Sequence, residues 1–507
     1  MFTASVMNFL PILILVLVVA GVIARLPKVA DVVHSRAFRR RRVMNWLPLG
    51  LTYAFLYMGR YNLTVSKKAF EKMEAATFGL VGQGVDAAAA AATSMMGNED
   101  FAFIFGFGTV VYGFSFVVNG PLTDRFGGRA AILASAAGTA LANLFMGLAA
   151  LTLMHQGPLS GEIAGNFRLL FALLYGLNMY FQSFGAVAIV KVNAAWFHVR
   201  ERGVFGAIFG ILISLGIYFA FDWSALILGY SGLAWVFFAP AALLGTFALI
   251  DVFLVKDSPG QAGHANFDTA DASSGDDGPR LGAVAVFKLM LRNPIIMTIA
   301  CIEFCSGFLR QAIMQWYQTF ARQTDGVLGM ASSFINKNWG LLLCCAGILG
   351  GVVAGIISDR VFGSRRGPVA CLLYITMLTG AIVMTFTFQT PIVGGLVIVM
   401  SMAVIGVHGM LSGTASMDFG GQKNAGIAVG IIDGFVYLGT GAMSLAYYFL
   451  LPRQQLDEAG NLAGPATDPA NWLAWPISMI VLAVVGTLLA TRVWNAMPRG
   501  KSSAAGH

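Results

Sequence analysis

Charged residues are scarce in this chain. Lys, Arg, Asp and Glu make up 11% of its 507 residues, whereas hydrophobic residues make up 57%. Because soluble domains carry about 25% charged residues, this composition excludes an ordinary soluble protein. The net charge of +8 is explained by basic loops on the cytoplasmic side of a membrane, so we expect no nucleic-acid partner. The composition indicates an integral membrane protein in contact with the lipid bilayer.

Cysteine is also rare, and sequence motifs of catalysis are missing. The chain has no G-x-x-x-x-G-K-[ST] loop and no H-E-x-x-H motif, which argues against an ATP-driven pump and a zinc hydrolase. The five cysteines lie inside hydrophobic runs without metal-ligand spacing or an exposed pairing context. We therefore expect neither enzyme activity nor a bound cofactor or metal. These cysteines are Cys301, Cys305, Cys344, Cys345 and Cys371.

Long hydrophobic runs, in contrast, recur along almost the whole chain. A bilayer-spanning helix needs about 20 predominantly apolar residues, and the runs lack the alternating pattern of a membrane β-barrel. Helices are therefore the expected spanning elements. The runs predict helices near residues 7–24, 44–65, 100–120, 130–153, 167–190, 203–221, 232–255, 294–318, 338–357, 367–388, 391–413, 424–450 and 471–492.

The distribution of basic residues predicts the orientation of these helices. The first run, 7–24, lacks the features of a signal peptide and is predicted to be an additional transmembrane helix. The arginine cluster at 36–42 follows it and is interpreted as a cytoplasmic topology anchor. This orientation puts the N-terminus outside and the C-terminus in the cytoplasm of a multi-pass protein in the plasma (inner) membrane.

Two stretches have the composition of loops. Residues 67–100 form a predicted outer loop without an assigned function, and residues 256–282, rich in Ser, Gly, Asp and Ala, have the low hydrophobicity of a disordered linker. The linker divides the chain into two groups of six helices behind the additional first helix. The predicted organisation is an extra helix and basic segment at 1–43, bundles at 44–255 and 285–495, a linker at 256–284 and a tail at 496–507.

An internal repeat supports this division into two halves. The pattern G-x-x-[ST]-D-R occurs at 120–125, after the second helix of the first half, and again at 355–360, after the second helix of the second half. The two copies occupy corresponding positions on the predicted cytoplasmic side. Duplicated halves are common among secondary transporters.

Two arginines lie inside predicted spans, where an ionisable group is costly and suggests function. Arg60 and Arg310 each lie about four or five residues beyond the middle of a helix that runs outward, roughly 6 to 8 Å at the helical rise. Tyr53 and Tyr57 share a helix face with Arg60 because they precede it by seven and three residues. Two guanidinium groups and tyrosine hydroxyls at one depth suit an anion such as phosphate.

The six-plus-six organisation and the G-x-x-[ST]-D-R loops resemble the major facilitator superfamily, whose two bundles flank a midplane site and rock to give alternating access. Within it, the chain is similar to the organophosphate:phosphate antiporter family, which carries glycerol-3-phosphate and sugar phosphates. The resemblance implies an all-α membrane protein of the major facilitator type with two six-helix bundles, to which the hydrophobic run at 7–24 adds one extra N-terminal transmembrane helix. The matching residues are Tyr53, Tyr57, Arg60, Asn62, 112–115, Trp196, Phe197, 201–203, 257–259, Arg310 and 437–439.

This resemblance implies roles for particular residues. Arg60 and Arg310 are expected to bind the phosphoryl group from opposite bundles, as the corresponding arginines do in the family. An alternative is that each arginine pairs with an internal acid, and Glu303, seven residues before Arg310 on the same face, is a candidate partner. We predict a monomeric transporter of a small anionic substrate. Its predicted substrate-binding residues are Arg60, Arg310, Tyr53, Tyr57, Tyr112, His408 and Tyr437.

The chain also departs from the family. Positions that hold a lysine and a histidine in well-known phosphate-ester carriers are here Phe116 and Ile213, so two polar contacts are missing. His408, Glu303 and Asp433 lie inside predicted spans and offer polar groups in compensation. A proton-coupling role is open for Glu303 and Asp433. The alternatives are a structurally hydrogen-bonded histidine and acids that serve helix packing.

The repeated charged turns are interpreted as gate elements. Short charged turns at helix ends can pair across two bundles in one state and separate in the other. Simple positive-inside anchoring is the alternative, but an acid in both copies adds little to anchoring. The predicted gate residues are Asp124, Arg125, Arg129, Asp359 and Arg360.

The predicted function is secondary active transport of a small organic phosphate by alternating access, with inorganic phosphate as a possible exchange partner. A proton-coupled symporter of another organic anion, such as a carboxylate, is one alternative. A transporter-like sensor of sugar phosphates is an alternative of another class.

Overall fold

The computed structural model describes residues 35–74, 94–198, 210–267, 288, 290–363, 365–411, 425–457 and 459–496. The predicted helix at 7–24, most of the predicted linker and the tail from residue 497 lie outside the described residues.

Long helices make up almost all of the described chain. Ten of them are long and apolar enough to cross a membrane, which agrees with a multi-pass integral membrane protein. A small antiparallel hairpin, β1 at Gln455–Leu456 and β2 at Leu462–Ala463, was not predicted from the sequence. The long helices are α1 Arg36–Phe70, α2 Asn98–Phe126, α3 Gly128–Met154, α4 Phe167–Ala194, α5 Gly210–Ser231, α6 Leu233–Leu254, α7 Pro294–Gln323, α8 Trp339–Ile356, α9 Arg366–Thr387, α10 Val393–His408, α11 Ala425–Leu450 and α12 Ala474–Arg492.

The helix α1 is longer than the predicted span and includes the arginine cluster. It begins after Ser35, whose hydroxyl caps the helix by accepting from the backbone N–H of Phe38 at 3.1 Å. Arg41 donates to the carbonyl of Leu254 at 2.8 Å. The Arg42 guanidinium lies 4.6 Å from the centre of the Phe197 ring. The cluster therefore packs against the first bundle in addition to its predicted role in topology.

The first part of the predicted linker is ordered. The backbone N–H of Lys256 donates to Asn45, and the Trp196 indole N–H donates to the Lys256 carbonyl at 2.9 Å. Phe267 packs edge-on against Phe38 at 5.7 Å. Residues 256–267 thus differ from the predicted disordered linker, because polar and aromatic contacts with the first bundle offset their low hydrophobicity.

The two halves contact each other along α2 and α11. A Cβ added to Gly106 of α2 would lie 2.8 Å from the Ser444 Cβ of α11, and one added to Gly113 would lie 3.0 Å from the Gly434 carbonyl. Glycine is needed at these positions because the two helices approach closely. Large apolar side chains such as Phe386, which is 84% exposed, cover the periphery, as expected for a surface that faces lipid.

Candidate functional site

Arg60 is completely buried, and its partners are neutral side chains. Its Nε donates to Gln182 of α4 at 2.8 Å, Nη1 donates to the Tyr437 hydroxyl at 2.6 Å, and Nη2 donates to the Tyr112 hydroxyl at 2.9 Å. Tyr437 lies on α11 of the second bundle, so this arginine already connects the two halves. Its positive charge is not cancelled by a carboxylate within the described structure.

Three polar residues on one face of α4 form hydrogen bonds that hold Arg60 in place. Gln182 donates to Asn178 at 3.2 Å, and Asn178 donates to the Gly59 carbonyl at 2.9 Å. Tyr175, one turn earlier, donates to the Arg60 carbonyl at 2.9 Å. Sequence reasoning missed these three residues of α4. Their spacing of three and four, which places polar groups on one face of an apolar helix, is the signal that could have found them.

Tyrosine rings surround the guanidinium group. Its central carbon lies 4.6 Å from the Tyr57 ring centre and 4.7 Å from the Tyr112 ring centre, within the range of cation–π attraction. The Tyr112 and Tyr437 rings lie 4.1 Å apart, and Tyr53 packs edge-on against Tyr57 at 5.5 Å. The structure therefore brings Tyr57, Tyr112 and Tyr437 to one arginine, and Tyr53 joins the cluster through Tyr57.

The two departures from the family occupy different surroundings. Phe116 packs on the Tyr112 ring at 4.8 Å and on the Tyr437 ring at 6.1 Å, so an apolar ring lies where the resemblance leads us to expect a lysine. Ile213 packs against the hydrophobic core. Neither position supplies a further cation to the site.

Arg310 lies on α7 with a side chain whose hydrogen bonds are incomplete. It is only 6% exposed, and its Nε and Nη2 have no hydrogen-bond partner in the described structure. It interacts electrostatically with Tyr57, Tyr61 and Tyr437, so it faces the same tyrosine cluster as Arg60. A buried cation with unused donors is costly unless an anion completes it. The site can therefore accept negatively charged oxygen atoms.

Close packing of α7 against α11 positions Arg310 next to Tyr437. A Cβ on Gly307 would lie 1.9 Å from the Val436 carbonyl oxygen, and one on Gly439 would lie 2.0 Å from the Phe304 carbonyl oxygen. Only glycine permits this approach. This close contact fixes the position of Arg310 relative to Tyr437 on the second-bundle side of the site.

Glu303 contacts His408 and does not contact Arg310. Its Oε2 lies 2.9 Å from Nδ1 of His408 on α10. The alternative in which Glu303 neutralises Arg310 through a direct ion pair is therefore absent from this conformation. Asp433, on α11, is half-buried and interacts electrostatically with Tyr112.

The predicted gate residues of the first half contact their own bundle. Asp124 pairs with Lys191 at 2.5 Å. The backbone N–H of Arg129 donates to Asp257 at 2.8 Å, and its Nη2 donates to the Val252 carbonyl at 2.6 Å. These contacts lie within residues 94–267, so this conformation does not pair them with the second bundle.

The structure gives little information on the contacts of the remaining predicted gate residues. The Arg125 guanidinium lies 5.6 Å from the Phe126 ring centre, Arg360 is exposed, and the side chain of Asp359 lies outside the described structure. The gate role of these residues stays a prediction.

Charged contacts join the two bundles at the opposite, predicted outer, ends of the helices. Glu71, directly after α1, is fully buried and accepts from Lys67 at 3.0 Å and from Arg322 Nη2 of α7 at 2.8 Å. A second bond connects Arg322 Nε with the other Glu71 oxygen. Sequence reasoning assigned no function to the loop that contains Glu71.

Further polar contacts close the same side. The Asp222 carboxylate of α5 accepts from the backbone N–H groups of Gly340 and Leu341, both at 2.8 Å, at the N-terminus of α8. Nearer the arginines, Gln311 donates to the Tyr61 hydroxyl at 2.9 Å, and the Thr64 hydroxyl bonds to Gln315. The described conformation is therefore closed between the arginines and the predicted outer side.

Comparison with known proteins identifies the family of this chain. The sequence profile of the Major Facilitator Superfamily matches residues 49–444. The fold resembles the crystal structure of a D-xylose-proton symporter, with a TM-score of 0.59, 16% identity, and coverage of 90% of this chain and 98% of that one.

Relatives with related names span most of the chain. A probable hexose phosphate transport protein of Chlamydia pneumoniae is 24% identical, covering 78% of this chain and 82% of that protein. A glycerol-3-phosphate transporter of Bacillus subtilis is 23% identical, covering 92% and 95%. The membrane sensor protein UhpC of Salmonella typhimurium is 24% identical, covering 69% and 76%. The chain therefore belongs to the Major Facilitator Superfamily, and its relatives match the organophosphate:phosphate antiporter family expected from the sequence.

Proposed function

We propose that this protein is a secondary active transporter that moves a small organic phosphate, of the glycerol-3-phosphate or sugar-phosphate class, across the membrane by alternating access. Inorganic phosphate is the proposed exchange partner. The observation that carries the proposal is the pair of buried arginines facing one tyrosine cluster, of which Arg310 has two unused donor nitrogens. The names of the relatives support the substrate class.

The chemistry of the site suits a phosphoryl group. A guanidinium group stays charged and offers a planar fork of donors that matches two phosphate oxygens. In this proposal Arg310 supplies the fork from the second bundle, while Arg60 and the hydroxyls of Tyr112 and Tyr437 complete the shell from the opposite side. Phe116 makes one wall apolar, so charge recognition depends on the arginines.

Alternating access follows from the same arrangement. Substrate oxygens bound between Arg60 and Arg310 draw the bundles together, and the contacts of Glu71 and Asp222 then break when the outer side opens. We place the N-terminus outside and the C-terminus in the cytoplasm, and we propose that one chain is the working unit. The predicted gate residues close the inner side in the opposite state.

Counterflow in proteoliposomes tests the proposal. Vesicles loaded with inorganic phosphate are expected to take up labelled glycerol-3-phosphate or glucose-6-phosphate, and Arg310→Lys is expected to lower the rate about 100-fold, because an ammonium group cannot form the bidentate contact. Asp100→Asn, in a partly exposed ion pair at the predicted outer side, is the control variant outside the site. Uptake of a carboxylate but of neither phosphate ester would support the alternative symporter instead.

The names of two relatives favour a second function. UhpC of Salmonella typhimurium and of Escherichia coli is named a membrane sensor protein. The same site would then bind a sugar phosphate and report its presence to a partner. Binding of glucose-6-phosphate in a thermal-shift assay, without any counterflow, and co-purification of a membrane kinase would select the sensor.

A further inference from the structure

Glu303 is a buried acid with one bonded oxygen and one free oxygen. Its side chain is completely buried, Oε2 lies 2.9 Å from Nδ1 of His408, and Oε1 has no hydrogen-bond partner in the described structure. His408 keeps 21% of its side chain exposed, so one member of the pair remains accessible. A buried carboxyl oxygen without a donor is costly. A ligand that carries hydroxyl groups could supply this donor.

The Glu303–His408 pair lies on the inner side of the two arginines. Glu303 precedes Arg310 by seven residues of α7, which is two turns or roughly 10 Å toward the predicted inner side, so both side chains share a helix face. Tyr53 precedes Arg60 by the same seven residues on α1. The duplicated halves therefore place Tyr53 and Glu303 at corresponding depths, inward of the arginines.

A bound phosphate ester can extend in one direction from the arginines. On their outer side, Gln311 donates to the Tyr61 hydroxyl at 2.9 Å. The Thr64 hydroxyl bonds to Gln315 slightly further out. Because these contacts close the outer side in the described conformation, the part of the ligand beyond its phosphoryl group must extend inward, along α7 toward Glu303.

The chemistry of these groups suits a hexose phosphate. With its phosphoryl group on Arg310, a hexose phosphate carries a ring beyond the ester carbon, and the ring hydroxyls extend toward Glu303. Glycerol-3-phosphate is a shorter molecule and extends less far. A hydroxyl group can donate to Oε1 of Glu303, and it can donate to or accept from Nε2 of His408. It therefore matches the pair in either tautomer of the imidazole.

The charge of Glu303 disfavours ligands with a second anionic group. A carboxylate at the far end of the ligand would lie near Glu303 without a cation of its own, because Arg310 is occupied by the phosphoryl group. Like charges at short range repel strongly where water is excluded. The hydroxyl-bearing ring of a hexose phosphate avoids this repulsion. In contrast, 3-phosphoglycerate carries a carboxylate at the end opposite its phosphate and does not avoid it.

We propose that Glu303 and His408 form the hydroxyl-binding subsite of this transporter, and that they select a hexose phosphate over glycerol-3-phosphate and over phosphate esters that carry a carboxylate. Arg310 holds the phosphoryl group, Oε1 of Glu303 accepts from a far ring hydroxyl, and His408 bonds to a neighbouring hydroxyl. This inference deepens the proposed function and depends on it.

Counterflow against internal inorganic phosphate tests the subsite. The wild-type KM is expected to be about tenfold lower for glucose-6-phosphate than for glycerol-3-phosphate. Glu303→Gln is expected to raise the KM for glucose-6-phosphate about tenfold, because the bond from the sugar to a charged acceptor is lost. The same variant is expected to lower the KM for 3-phosphoglycerate about tenfold, because the repulsion is removed. Its KM for inorganic phosphate should not rise, since this ligand has no ring.

A second variant separates hydrogen bonding from charge. His408→Gln keeps the charge of Glu303 and is expected to raise the KM for glucose-6-phosphate about threefold, without improving uptake of 3-phosphoglycerate. Asp251→Asn is the matched control, because Asp251 is another completely buried acid and accepts from the Thr52 hydroxyl at 2.7 Å. It should keep the wild-type KM for each ligand.

The outcomes distinguish failure of the subsite from failure of the transporter. An unchanged KM for glucose-6-phosphate in Glu303→Gln overturns the subsite, as does an equal rise in its KM for inorganic phosphate. A wild-type preference for glycerol-3-phosphate also overturns it, and all three results leave phosphate-coupled transport intact. If Glu303→Gln does not fold, the KM of His408→Gln for glucose-6-phosphate decides. Absence of any phosphate-ester exchange in the wild-type protein overturns the proposed function itself.

Discussion

Arg60 and Arg310 occupy corresponding places in the two halves but differ in their surroundings. Arg60 is completely buried, donates to Gln182, Tyr112 and Tyr437, and is enclosed by aromatic rings. Arg310 is also buried, yet its Nε and Nη2 have no partner. The duplicated halves thus hold one arginine that is preorganised by protein groups and one whose donors remain available. Recognition of an anion requires both properties, because orientation lowers the entropic cost of binding and unused donors supply the bonds.

The largest effects are expected when the charge of each arginine is removed in turn, which tests the difference between their surroundings. Arg310→Gln and Arg60→Gln are both expected to reduce exchange at least about 100-fold, since a phosphate dianion then meets one cation. Their effects on stability should differ. Arg60→Gln leaves three polar partners unpaired and is expected to cost about 3 kcal/mol, whereas Arg310→Gln removes an incompletely bonded cation and should not lower the Tm.

Thermal unfolding of the purified, substrate-free variants measures the difference. Binding of inorganic phosphate should raise the Tm of the wild-type protein and of neither variant. Equal loss of Tm in both variants would show that Arg310 is as fully bonded as Arg60.

The next effect concerns the contact that keeps the two halves together. Burial raises the pKa of Glu71, but Arg322 and Lys67 outweigh it and hold the pKa at about 2. A carboxyl with a lowered pKa stabilises the folded contact above its unfolded pKa of about 4.3 and loses that contribution as the pH falls toward the folded value. The cross-bundle contact should therefore persist at pH 5 to 8 and weaken below about pH 4.

Glu71→Gln tests this contact at neutral pH. Loss of the carboxylate leaves Lys67 and Arg322 as like charges and should shift the population toward an opening on the predicted outer side. Distances between spin labels at the outer ends of α1 and α7 report the shift. An unchanged distance distribution would mean that Asp222 and the Gln311–Tyr61 contact suffice for closure.

A smaller effect is expected at Tyr437, the tyrosine of the second bundle that bonds to Arg60. Tyr437→Phe removes one hydroxyl that accepts from Arg60 across the two bundles. A hydrogen bond to a charged group contributes about 1.5 to 3 kcal/mol, so the KM for the phosphate ester should rise about tenfold with little change in α11 packing. Tyr448→Phe, on the same helix but at an exposed Arg168 contact of 3.5 Å, is the matched control and should leave KM unchanged.

The smallest effect is expected at the partly exposed ion pair Arg168–Asp100. Its partners are 43% and 15% exposed, and surface ion pairs contribute about 0 to 1 kcal/mol. Asp100→Asn should change the Tm by about 2 °C or less and leave exchange at the wild-type rate. A larger loss would show that this pair also holds the outer ends of α2 and α4 together.

Much of the site could be predicted from local spacing. Tyr53, Tyr57 and Arg60 share a helix face in the sequence and meet in the structure. The three polar residues of α4 follow the same rule, but sequence reasoning missed them because amides and a phenol hydroxyl carry no charge that would mark them in an apolar helix. Glu303 illustrates the limit, since its spacing of seven from Arg310 predicts a shared face correctly but does not identify the partner.

Sequence alone determined the membrane class, most helix positions and the two-half organisation, because hydrophobic run length and charge asymmetry are set by the bilayer and need no tertiary contact. It also identified the two arginines, since a cation inside an otherwise apolar membrane span stands out in the sequence. Only the tertiary structure decided which groups satisfy them. Gln182 and Tyr437, which bond to Arg60, lie 122 and 377 residues away from it in the sequence. His408 lies 105 residues from Glu303 and contacts this acid in place of Arg310. Such partnerships depend on how helices pack, and packing brings together residues that no local pattern relates.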